Sequence, residues 1–179
     1  MSGAGREKAV SAGGFTKVVE ATVTRPGTTT QYTAGDQVSD SESAPTVITF
    51  SDVARVLGGT GYVTGALCID SAAQATKANL RLYLFDTSVT PNNDNAAWAP
   101  SDANLNDCLG FVEFSTWEVG TVTAGADGNC FSVGTMYPDR IGFVCGSTVR
   151  DIYGLLVERS TYTPVASEVF TIRLHVMQD

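Results

Sequence analysis

The chain has 179 residues, of which 18 are Gly and 22 are Thr, and only 17% are charged, against about a quarter in an average soluble domain. The net charge of −8 argues against a nucleic-acid partner, which needs a basic face to displace phosphate counterions. Few Glu, Lys, Gln and Leu argue against a helical bundle, and no stretch approaches the roughly 18 apolar residues of a membrane-spanning helix.

In chain order, residues 1–14 are rich in Gly, Ala and Ser, carry Arg6 and Lys8, and have no periodic apolar face. They read as a flexible arm without the apolar centre of a signal peptide. Residues 15–179 read as one domain, long enough to bury a real core. From Phe15 the pattern alternates with period two, with Val19, Ala21 and Val23 on one face, until Arg25-Pro26-Gly27 ends the strand. Further β-type runs are expected over Tyr32–Val38, broken by Gly35-Asp36, and over Val47–Phe50, Val53–Leu57 and Tyr62–Asp70, with Gly58 to Gly61 as a strand connection. In Asn79–Asp86, Leu80, Leu82 and Leu84 point one way and Arg81 and Tyr83 the other.

A long loop from Thr87 to Asp107 follows, with a short helical turn that Ser101 can cap. Residues 108–117 set Val112 and Phe114 against Glu113 and Ser115. Asp127-Gly128 is a hairpin signal between residues 117–124 and 130–135. Strands over 141–147, 152–158 and 168–177 complete the set, the last with Phe170, Ile172, Leu174 and Val176 inward and His175 outward. Nine to eleven short strands at about 10-residue spacing predict an all-β fold. The form expected is a jelly-roll-like antiparallel β-sandwich behind a flexible N-terminal arm.

Chemistry is sparse. The four cysteines (Cys68, Cys108, Cys130, Cys145) form no CxxC pair, which excludes a zinc ribbon. The plain reading is buried free thiols. His175 is the only imidazole, and no G-x-S-x-G elbow accompanies it. One His cannot furnish a cupin-type metal cluster. Asn92 to Asn95 and Asp102 to Asp107 offer oxygen ligands, but without EF-hand spacing they read more simply as solvated Asx-rich turns. No catalytic, metal or cofactor residue is therefore assigned. Trp98 in the long loop either anchors a partner or packs the loop onto its own sandwich. A carbohydrate- or receptor-binding module is the alternative reading, with Trp98, Trp117 and Tyr137 as its aromatics.

The strings Val23-Thr24-Arg25-Pro26, Tyr32 to Val38, Ile48-Thr49-Phe50, Leu80 to Thr87 and Asp94 to Asp102 together resemble a group of tailed-bacteriophage virion proteins, some of them capsid decoration (cement) proteins. The resemblance covers residues 20 to 115. It implies a non-enzymatic jelly-roll protein on the outer capsid surface, assembled in the host cytoplasm. It further implies homotrimers that contact the major capsid protein and bridge capsomers. Arg6, Lys8, Phe15 and Trp98 are the candidate partner-interface residues, with no nucleic acid, membrane or cofactor involved.

Overall fold

The computed structural model describes residues 14–72, 74–119 and 130–179. Arg6 and Lys8, and the Asp127-Gly128 turn, lie outside the described residues. In chain order the elements are β1 (Phe15–Thr24), β2 (Gln37–Val38), β3 (Ile48–Phe50), β4 (Thr60–Asp70), β5 (Leu80–Phe85) and α1 (Asp102–Asn106). They continue with β6 (Cys108–Phe114), β7 (Trp117–Val119), β8 (Cys130–Val133), β9 (Thr135–Tyr137), β10 (Ile141–Val144), β11 (Ile152–Glu158) and β12 (Val169–Gln178). That is one strand more than the upper end of the sequence-based expectation.

The strands form two antiparallel sheets. The first runs β1-β12-β4-β8-β7, with β10 also on β4; the second runs β2-β11-β5-β6-β9, with β3 also on β11. The last strand thus lies between the first and the fourth, and the strand before it lies between β2/β3 and β5. Consecutive strands β4–β5 and β11–β12 each step from one sheet to the other, so the chain is rolled as a doubled ribbon. This is jelly-roll order, two Greek keys wrapped into a sandwich.

The alternation in sequence becomes the core. Leu80, Leu82 and Leu84 from β5 and Phe170, Ile172, Leu174 and Val176 from β12 are buried, and Val19 and Val23 of β1, Val63, Cys68, Val112 and Phe114 fill the space between. Each such side chain stabilises the fold by about 1.5–3 kcal/mol relative to an exposed position. Gly134 carries the chain from β8 in the first sheet to β9 in the second. A Cβ there would collide with Val112 and Phe114, so only glycine lets the backbone pass this close to the core. The four cysteines are free thiols, three of them buried and Cys108 half-buried.

Three expectations are corrected. The Tyr32–Val38 run is a strand only at Gln37–Val38. Upstream, Asp36 accepts the Thr33 amide at 2.6 Å and hydroxyl at 2.9 Å, and its own amide donates to the Thr33 carbonyl at 3.1 Å; this local side-chain-to-backbone turn competes with a ladder. Tyr32 keeps a single bridge to Tyr162. The Val53–Leu57 run is turns, because Asp52 takes a left-handed φ of 57°. The segment is pinned to the 149–151 loop by Ala54 N–H to the Arg150 carbonyl and Asp52 N–H to Asp151. Finally, Asp94 is not in a solvated turn but buried. By contrast, α1 forms where expected, with Ser101 Oγ accepting the Asn104 amide at 3.2 Å.

Asp94 is the centre of a buried polar lock. Its Oδ2 receives Arg25 Nη2 at 2.8 Å, and its Oδ1 receives the Tyr32 hydroxyl at 2.6 Å and the Ser39 amide at 3.0 Å. Arg25 also bonds the Tyr32 hydroxyl through Nε. Burial, then the Asp94 carboxylate, push the Tyr32 phenol far above its usual range, so it remains a donor. The lock ties the end of β1 and the entry to β2 to the 87–107 loop. Asp94→Ala would leave a buried guanidinium unpaired, and a loss of about 3–5 kcal/mol is expected in urea unfolding.

Candidate interaction face

The outer surfaces of the two sheets differ. On the second sheet, Phe85, Val89 and Leu155 form a small buried cluster, against which Val47, Tyr83, Trp98, Cys108 and Tyr153 pack. The 87–107 loop therefore closes down on its own sheet, and Trp98 is its inward anchor, with ring centroid 4.0 Å from that of Tyr83. Of the two readings of Trp98, the packing of the loop onto its own sheet is the one seen, with the ring half-buried.

The aromatic row continues across the strands, because Tyr83, Phe111 and Tyr137 are register partners. Phe111 lies 5.8 Å from Tyr83 and 4.9 Å from Tyr137. The Arg81 guanidinium sits 4.2 Å over Phe111 and is ion-paired with Glu113. These rings spend their faces on one another and on a cation. A sugar ring, which stacks on an open aromatic face, finds little here. Trp117 is no better placed: it packs against the core and its indole N–H donates to the Ala78 carbonyl at 2.6 Å.

The outer surface of the first sheet is open and apolar at its centre. Strand alternation sends Leu67 and Ile69 of β4 and Phe131 and Val133 of β8 to the outside, and registry aligns them in two rows. One row reads Glu20, Arg173, Leu67, Val133; the next reads Thr22, Thr171, Ile69, Phe131, Glu118. Val133 is 66% exposed and Phe131 42%. Tyr62 and Val144 extend the exposed apolar surface. His175 stands on the same face, beside a shallow groove lined by Thr64, Leu67, Val133 and Met136. The Glu20–Arg173 pair, 3.5 Å apart, gives the apolar centre a charged rim. Large side chains outside and Cys130 and Ser132 inside reverse the usual pattern of a half-buried strand, which makes this face the candidate for an interaction surface.

Of the predicted interface residues, the two among the described residues, Phe15 and Trp98, do not converge. Phe15 opens β1 at the edge of the first sheet, 57% exposed, with the Arg55 guanidinium 4.0 Å over its ring, whereas Trp98 belongs to the second sheet. The residues that do converge, Phe131 and Val133, were not singled out by sequence. Their signal was present in Cys130-Phe131-Ser132-Val133, where the larger residues share one face.

Among the described residues no three His, Cys, Asp or Glu side chains group to hold a metal ion. The thiols are raised by burial, Cys145 to about 11, which makes them poor nucleophiles. No protein-family model matches the chain, and no curated protein matches it significantly.

Because Phe131 and Val133 are exposed and contribute through cross-strand pairs with Ile69 and Leu67, the pair Phe131→Ser and Val133→Asp is expected to lower unfolding free energy by about 1–2 kcal/mol and to leave the chain folded. The same pair should cut binding of an apolar fluorescent dye by the native protein; a urea melt and a dye titration on one sample check both.

Proposed function

We propose that this chain is a non-enzymatic virion protein of a tailed phage, a capsid decoration protein that stabilises the head by bridging capsomers. The observation that carries the reading is the open apolar face of the first sheet, opposite a second sheet covered by its own loop. A protein that works by adhering needs a rigid, water-shedding surface, and the outer face of the first sheet supports that reading. The sequence strings that resemble decoration proteins point the same way. On this reading the Leu67, Ile69, Phe131 and Val133 face meets the major capsid protein or a neighbouring copy within a homotrimer on the outer shell.

The carbohydrate-binding alternative is less well supported, since the aromatic row of the second sheet is stacked on itself. Purified protein is expected to co-sediment saturably with expanded, empty capsids of its own phage and to raise their melting temperature. Val133→Asp should weaken that binding at least about tenfold, the effect of some 1.4 kcal/mol. Capsids left unbound by the folded wild-type protein, or glycan binding in their place, would reject the reading.

A further inference from the structure

Where the chain passes from β11 to β12, a second polar cluster is buried, and it does not depend on the surface reading above. Glu168, the residue before β12, is 1% exposed, and Asp70, the last residue of β4, is fully buried. Phe170 and Asp70 are register partners across β12 and β4, so Glu168 enters the sandwich diagonally opposite Asp70. Both carboxyl groups are buried at this corner of the sandwich, and Asp70 acts on Glu168 by its charge and its hydrogen-bonding oxygens.

The oxygens divide unevenly. Asp70 Oδ1 accepts the Ala72 amide at 2.7 Å, and Oδ2 accepts the Cys130 thiol at 3.5 Å. Glu168 Oε1 accepts the Tyr162 hydroxyl at 2.5 Å. Glu168 Oε2 is buried and has no donor among the described residues. Two acceptor-only carboxylates cannot satisfy one another; a carboxylic acid and a carboxylate can.

Among the described residues no Lys or Arg side chain is ion-paired with either carboxyl. From the segment after β4, the Gln74 amide lies 2.6 Å from the Tyr162 hydroxyl, and Lys77 Nζ turns to the Ala72 carbonyl at 3.2 Å, beside Cys130. From β4 itself, Cys68 adds a buried thiol, and from β11, Glu158 adds negative charge near Tyr162. From the end of β1, Arg25 gives its guanidinium to Asp94 and only its backbone N–H to the Glu168 carbonyl, at 2.9 Å.

We propose that Glu168 and Asp70 hold one proton between them, making a clasp between the start of β12 and the end of β4 that is stronger in acid than in base. With the proton present, Oε2 has its missing hydrogen bond. Without it, two negative charges share a buried site, and the 71–79 and 160–168 segments, which meet through Gln74 and Tyr162, are pushed apart. Burial first, then the Asp70 charge, raise Glu168 to about 7, against the lowering hydrogen bond from Tyr162. The sign follows from proton counting. Below about pH 4.3, the ordinary Glu value, folded and unfolded chains both carry the proton and the group is neutral in stability. Between there and about 7 the unfolded chain gives it up while the fold keeps it, so stability falls as pH rises. Above that range the loss is complete.

The test is a carbon-detected NMR titration of the Glu168 carboxyl in the whole chain, alongside melting curves of wild type and Glu168→Gln from pH 5 to pH 8. The Glu168 midpoint is expected near neutrality, and Asp70→Asn should return it towards the ordinary range. Relative to Glu168→Gln, the wild type should lose about 5 °C or more of melting temperature over that interval; the difference cancels every other titrating group. An ordinary Glu168 midpoint overturns the clasp. So does a midpoint that Asp70→Asn leaves unmoved, or a parallel pair of melting profiles. If Glu168→Gln does not fold, the titrations of wild type and Asp70→Asn decide alone.

Discussion

The pairing of β12 on both of its edges is the constraint on which the molecule rests. Its ten residues bond β1 along one side, from Phe15 opposite Gln178 to Thr24 opposite Val169, and β4 along the other. Removing β12 would leave β1 without a strand partner among the described residues and strip β4 of one side. Its predecessor β11 plays the same part in the second sheet, between β2/β3 and β5. The two sheets are therefore organised by neighbouring strands late in the chain that must insert between strands laid down far earlier. Such pairings close long loops before they gain contacts, and folding of this kind belongs to the slow, millisecond-to-second class.

The polar interior gathers around that insertion. The end of β11 and its link to β12 carry Glu158, Tyr162 and Glu168. Glu158 accepts amides from Asn79, Arg159 and Ser160, Tyr162 bridges to Tyr32, and Glu168 faces Asp70. The Arg25–Asp94 pair stands beside Tyr32 in the same region. Buried polar groups stabilise little in net terms but penalise every arrangement that leaves them unpaired. Here they fix which strand ends meet at the point where the chain changes sheets.

The sequence announced this architecture wherever one face is wet and the other dry. Alternation in β5 and β12 located both strands and their buried faces, because period two is the direct imprint of a half-solvated sheet. It failed where another force ruled. In Tyr32–Val38 a local carboxylate captures the backbone, and in Val53–Leu57 a left-handed aspartate turns apolar residues into a corner. Asp94 looked solvated because its partners, Arg25, Tyr32 and Ser39, lie 55 to 69 positions away. The candidate face was illegible for a related reason: Leu67 and Val133 become neighbours only through strand registry. The covering of the second sheet by Trp98 likewise depends on where a loop folds back, which no local pattern encodes.

The opposed directions of β1 and β12 have a mechanical consequence. Phe15 and Gln178 are rung partners at one end of the ladder, so the outer ends of these two strands emerge side by side. Tension applied between them loads the rungs one after another, as in opening a zipper, and meets only one rung's resistance at a time. Force spread through the sheet faces is instead borne by many rungs in parallel. The sandwich is therefore soft when pulled by its paired ends and stiff when gripped by its broad sides.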